Sequence, residues 1–165
     1  FKAGKPWDPN ERPFFDDGVD VVDDMSKLSG KWAYDQERDL DGRVALADTV
    51  AKVEVMSVQT ASDFEVEKGK RIEVRIEEVL YGESPSSKIA LTSPRETPGH
   101  ELIVRYENRL IGEHFLFVRW FKGEDGAVNS HFHLSPVSEQ MAAEVKKRID
   151  ARKLEEEKDA KRSVR

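Results

Sequence analysis

The chain has 165 residues, 38% apolar and 36% charged, which suits one core domain of about 90–100 residues with appendages. It contains no cysteine, which excludes disulfides, zinc–thiolate sites and thiol nucleophiles, and no apolar run is long enough for a transmembrane helix. The formal charge of −6 is uneven: residues 146–165 carry nine Lys or Arg against five Asp or Glu, a balance of +4 that leaves −10 for the rest, and so acidic a body disfavours nonspecific nucleic-acid binding.

Residues 1–24 are rich in Pro, Gly and Asp without periodicity and predict an extended acidic arm. Trp7, Phe14 and Phe15 are unusual in such a segment. They either lie over the domain surface or form a partner-binding stretch. A domain over 25–137 follows, led by a short helix around 25–36 whose stripe is Met25, Leu28, Trp32 and Gln36.

The β pattern is clearest from about Arg43 to Leu134. Strands are predicted at Val50–Val58, Arg71–Ile76, Lys88–Thr92, Leu102–Tyr106, Phe115–Phe121 and Val128–Leu134. The alternation of Arg71–Ile76 breaks at Glu77–Leu80, which signals a bulge or strand end. Phe115–Phe121 is apolar on both faces, as a central strand is, and Gly123-Glu124-Asp125-Gly126 turns it back as a hairpin. Six short strands imply a mainly β fold: a small antiparallel barrel or sandwich, OB-like, with a C-terminal helix. That helix spans 138–165. Met141, Val145 and Ile149 form a narrow stripe that docks its first three turns, and the rest projects.

Two constellations could carry chemistry. His131 and His133 leave one face of a strand. If the hairpin centres on Glu124-Asp125, His114 joins them diagonally, at the point where the β region gives way to the helix, and three imidazoles could begin a zinc or other divalent-metal site. The alternative is that the rings pack or lie at the domain rim, and a register different by one residue abolishes the cluster. Secondly, Glu37, Asp39, Asp41, Gly42 and Asp48 echo a calcium loop but lack its first Asp and final Glu, so an Asp-Gly turn into the first strand is the simpler reading. Ser130 and His131 point to opposite faces and form no dyad.

The run Leu46-Ala47-Asp48-Thr49-Val50-Ala51-Lys52-Val53-Glu54-Val55, followed by Val74 and then Val79-Leu80-Tyr81-Gly82, resembles the openings of small exported bacterial β-barrel proteins of the netrin/tissue-inhibitor-like, OB-type group. The resemblance covers about 46–121 and lacks the cysteines of the secreted relatives. It implies a protein-binding module, and the arm resembles the tether of a bacterial lipoprotein, which implies a lipidated cysteine ahead of Phe1 as the only membrane attachment. The expectation is a monomeric, non-enzymatic cell-envelope protein without a cofactor. It binds a protein partner through Trp7, Phe14, Phe15 or the helix residues Met141, Val145 and Ile149, and it does not bind nucleic acid. The rival expectation is a metal-binding protein or metal-dependent enzyme using His114, His131 and His133.

Overall fold

A computed structural model describes residues 1–20, 27–63 and 66–164. Six strands form one sheet: β1 (Gly18–Val19), β2 (Thr49–Asp63), β3 (Val66–Gly82), β4 (Lys88–Pro94), β5 (Gly112–Lys122) and β6 (Val128–Pro136), in the order β1-β6-β5-β2-β3-β4. The helices are α1 (Lys31–Leu46), α2 (His100–Arg105) and α3 (Glu139–Ser163). The sheet curls into a half-barrel, so the mainly β expectation with a C-terminal helix holds.

The curl follows from local sequence. Val50 faces Tyr81 while Ala51 faces Val79, and Lys52 faces Glu78 while Val53 faces Ile76. Leu80 and Glu77 are therefore extra residues in β3, bulges at the place where the alternation breaks, and bulges bend and twist a strand. The inner face is lined by Val53, Val55, Ile72, Val74, Leu91, Leu116, Val118, Phe132 and Leu134, with Ile103 and Leu110 plugging one end.

Two sequence expectations change here. Leu102–Tyr106 is not a strand: α2 occupies His100–Arg105, and the sixth strand is β1 from the arm. Its apolar run resembled alternation, but Leu102, Ile103 and Tyr106 turn inward while Val104 and Arg105 stay exposed, the one-sided burial of a short helix. The seam between β4 and β6 is filled by arm backbone: Ser93 Oγ donates to Asp17 O at 2.7 Å, and Gly99 N to Asp16 O at 2.8 Å.

The leading helix also lies later than expected. Met25 falls outside the described residues, and α1 begins at Lys31 and continues through Gly42 to Leu46, so the Asp-Gly turn and all of the calcium-loop pattern except Asp48 are helix. Its buried face is Leu40, Arg43 and Val44, whereas Trp32 is 76% exposed. Gly42 sits mid-helix because the Phe14 ring lies against it, leaving no space for a Cβ.

A second core covers the outer face of the sheet. Phe15, Leu40, Val44, Met141, Val145 and Ile149 pack on Val50, Phe115 and Phe117, with Trp7 and Phe14 at the edge. Every aromatic and aliphatic side chain predicted to bind a partner is thus engaged within the chain. The arm does not extend, because fully burying Phe15 gains about 1.5–3 kcal/mol and the half-buried rings of Trp7 and Phe14 add to it. Ser138 caps α3, its Oγ accepting from Met141 N at 3.0 Å. Arg152 then closes the docked part: it donates to Val44 O and Ala47 O, at the C-terminal end of α1, and stacks 4.0 Å over Tyr81. Past Arg152 every described residue is exposed. Among the described residues no helix is long and apolar enough to cross a membrane.

Candidate functional site

The hairpin between β5 and β6 decides where the histidines go. Gly126, at φ 79°, follows a turn closed by Gly126 N to Gly123 O, and Gly123 N donates to Ala127 O. This is a type I turn with a left-handed glycine, a three-residue loop in place of two. The register shifts by one: Arg119 faces His131, Phe117 faces His133, and His114 faces Pro136. His131 and His133 therefore lie on the outer face and His114 on the inner, so the strand does not bring the three together. Among the described residues no three His, Asp or Glu side chains are placed to hold a metal ion.

On the outer face the polar groups fasten the arm. Arg119, 3% exposed, donates to Glu11 at 2.9 Å, to Asp48 at 2.7 Å, and to the carbonyls of Lys5 and Pro6 at 3.0 Å each. His131 packs against the rings of Trp7 and Phe121, which also touch each other, and contacts Asp17 at 2.8 Å. Asp17 has φ 57°, a left-handed conformation that Asp tolerates better than most residues. It is held there by exchanging bonds with Phe132: its N–H donates to Phe132 O at 2.8 Å, and its Oδ1 accepts from Phe132 N at 3.0 Å.

His133 is buried between two carboxylates. Its Nδ1 meets Asp16 at 2.8 Å, and its Nε2 lies 2.9 Å from Asp20 but off the line a hydrogen bond requires, leaving that nitrogen close in charge and unbonded. Asp20 also accepts from Ser135 Oγ at 2.6 Å, and Arg43 stands 3.9 Å away while its Nε donates to Phe14 O. Burial and Arg43 oppose charge on His133, yet Asp20 and Asp16 outweigh them and hold its pKa above 6.5. Burial also works against ionised Asp16 and Asp20, and His133 and Arg43 reverse it, placing both below the ordinary carboxylate value. At pH below 6.5 the cluster is a carboxylate–imidazolium–carboxylate unit with a guanidinium behind it.

The inner face opens at one end into a cleft of about 350 Å³ lined by Val19, Asp20, Tyr106, Arg109, Leu110, Ile111, Glu113, His114, Pro136 and Val137. The 3-10 turn Glu107–Arg109 and the start of β5 form one wall, and the end of β6 forms the other. His114 is 6% exposed, its pKa pushed below 6.5 by burial, and its Nδ1 lies 3.4 Å from Gly112 O. The cleft does sit where the β region meets α3, but with His114 alone of the three histidines. Arg109 and Tyr106 escaped the sequence reading because their segment resembled a strand and its approach. Only the junction at Pro136 pointed to the place.

The chain matches no protein-family model, no curated protein and no solved structure.

Proposed function

We propose that this protein is a non-enzymatic module of the cell envelope that works through protein contacts, with an extended partner segment adding to the free edge of β2. The envelope location rests on the sequence resemblance of residues 46–121, and the contact mode on one observation. β5 pairs with β2 only from Thr49 to Val55, because Gly112, at φ 120°, turns the preceding chain away. Among the described residues no strand takes its place from Met56 to Ser62, while β3 holds the other edge.

Such an edge offers a row of backbone donors and acceptors, and sheets usually block it with lysine, proline or a covering loop. The residues Met56-Ser57-Val58-Gln59-Thr60-Ala61-Ser62 contain neither charge nor proline. Ser57 adds a buried hydroxyl without a partner among the described residues. Strand addition would satisfy this edge through the backbone, with side-chain pockets giving selectivity.

A photo-crosslinking residue at exposed Gln59 tests the reading in cells, against the same residue at Glu124 in the β5–β6 turn. One discrete adduct from Gln59 and none from Glu124 is expected. Failure to crosslink from Gln59, or identical adducts from both positions, rejects edge recognition.

A further inference from the structure

The cleft beside His114 contains two polar groups that make no side-chain hydrogen bond or ion pair through their free ends among the described residues. Arg109 lies with its guanidinium 5.8 Å from the Tyr106 ring centroid and pairs with no carboxylate among the described residues. The cleft's own acids are already matched: Glu113 pairs with Lys52 at 3.7 Å, and Asp20 is held by His133 and Ser135. The second group is Nε2 of His114, which makes no hydrogen bond among the described residues although the side chain is buried and lines the cleft. With Nδ1 directed at Gly112 O, the neutral ring carries its proton on Nδ1 and presents Nε2 as an acceptor.

These two vacancies define a ligand. A planar guanidinium matches a carboxylate, taking both oxygens at once. An imidazole acceptor takes an N–H or O–H. A phosphate dianion fits poorly, since one arginine would face it with Asp20 and Glu113 beside it in an acidic body. Val19, Leu110 and Pro136 give the cleft an apolar wall, and 350 Å³ is about a dozen water volumes of ~30 Å³.

We propose that this cleft binds a carboxylate carrying a neighbouring N–H or O–H donor and a small apolar group, with Arg109 holding the carboxylate and Nε2 of His114 accepting from the donor. Free N-acyl or hydroxy acids and the C-terminal residue of a peptide share this chemistry. The site is independent of the β2 edge.

NMR titration of the full chain with N-acetyl-leucine, N-acetyl-leucinamide and the acid-terminated peptide N-acetyl-Ala-Ala-Leu tests it. Saturable shifts of the Arg109 and His114 side-chain signals are expected with both acids, and the amide should bind about tenfold or more weakly, the worth of one charged hydrogen-bond pair. Arg109→Gln, at an exposed position, should weaken the acids by a similar factor without unfolding the protein; His114→Phe keeps the volume and removes the acceptor. Equal binding of acid and amide, unchanged affinity in Arg109→Gln, or no saturation overturns the proposal. A peptide tenfold tighter than N-acetyl-leucine identifies a protein terminus as the source, and equal affinities identify a small acid. Either result upholds the shared chemistry.

Discussion

Replacing His133 by Leu should reveal how much of the arm's attachment is electrostatic. The substitution removes the imidazolium and leaves Asp16 and Asp20, 21% and 12% exposed, with only Arg43 at 3.9 Å to compensate. Breaking a buried ion pair from one side costs about 3–5 kcal/mol, because the surviving charge remains desolvated. For a chain of this length that corresponds to a fall in Tm of roughly 6–20 °C. The pH dependence separates this mechanism from simple loss of packing. The folded pKa of His133 is raised, so its contribution is complete below 6.5 and is lost as pH rises through the folded value. The folded pKa of His114 is lowered, so its contribution is present above 6.5 and lost as pH falls through that lower value. Asp16 and Asp20 act lower still, favouring folding above 3.8 and ceasing to do so as pH falls through their depressed values. Wild-type stability should therefore peak near pH 6.5 and decline on the alkaline side. Urea unfolding of wild type and His133→Leu from about pH 5 to pH 9 reads both effects. An alkaline decline of equal slope in both proteins, or a loss under about 1 kcal/mol at pH 6, would refute the ionised cluster. Adding Asp16→Asn and Asp20→Asn to the Leu variant should recover part of the loss, since replacing all the charges can be nearly neutral.

Other perturbations test the packing. Arg119→Met should free the first dozen residues, because Glu11, Asp48 and two carbonyls lose their donor; limited proteolysis should cut the arm faster, with stability lower by about 3 kcal/mol. Gly42→Ala gains about 1 kcal/mol in helix propensity but forces Phe14 aside. The clash should win, giving net destabilisation of about 1 kcal/mol by thermal melting, and a stabilised variant would show that the ring yields freely. Truncation after Lys153 removes only exposed residues and should change Tm by less than about 2 °C, whereas Arg152→Ala, which uncaps α1, should lower it further.

Much of the scaffold was legible in one dimension. Period-two alternation located β2, β3 and β4 and the β5–β6 hairpin, and the broken alternation at Glu77–Leu80 marked the bulges that curl the sheet. The stripe Met141, Val145 and Ile149 named the docked face of α3. These features depend on neighbours along the chain, and local sterics with apolar periodicity suffice to set them. Segments of weak pattern went the other way. Leu102–Tyr106 and residues 37–46 took helical form because burial of one face outweighed modest local preference.

Which face each histidine meets was decided by one residue in the hairpin loop. A slip of one inverts every side chain on a strand, and the glycine at 126 set that slip through a left-handed turn. The fate of the arm was likewise tertiary. Trp7, Phe14 and Phe15 with Asp16, Asp17 and Asp20 look in sequence like a tether, and in space the rings complete a core while the carboxylates pair with Arg12, His131, His133 and Arg43. Composition records how many apolar and charged groups a chain has. Only the folded surface determines which of them find partners inside it, and among the described residues the β2 edge, Arg109 and Nε2 of His114 stay open to one from outside.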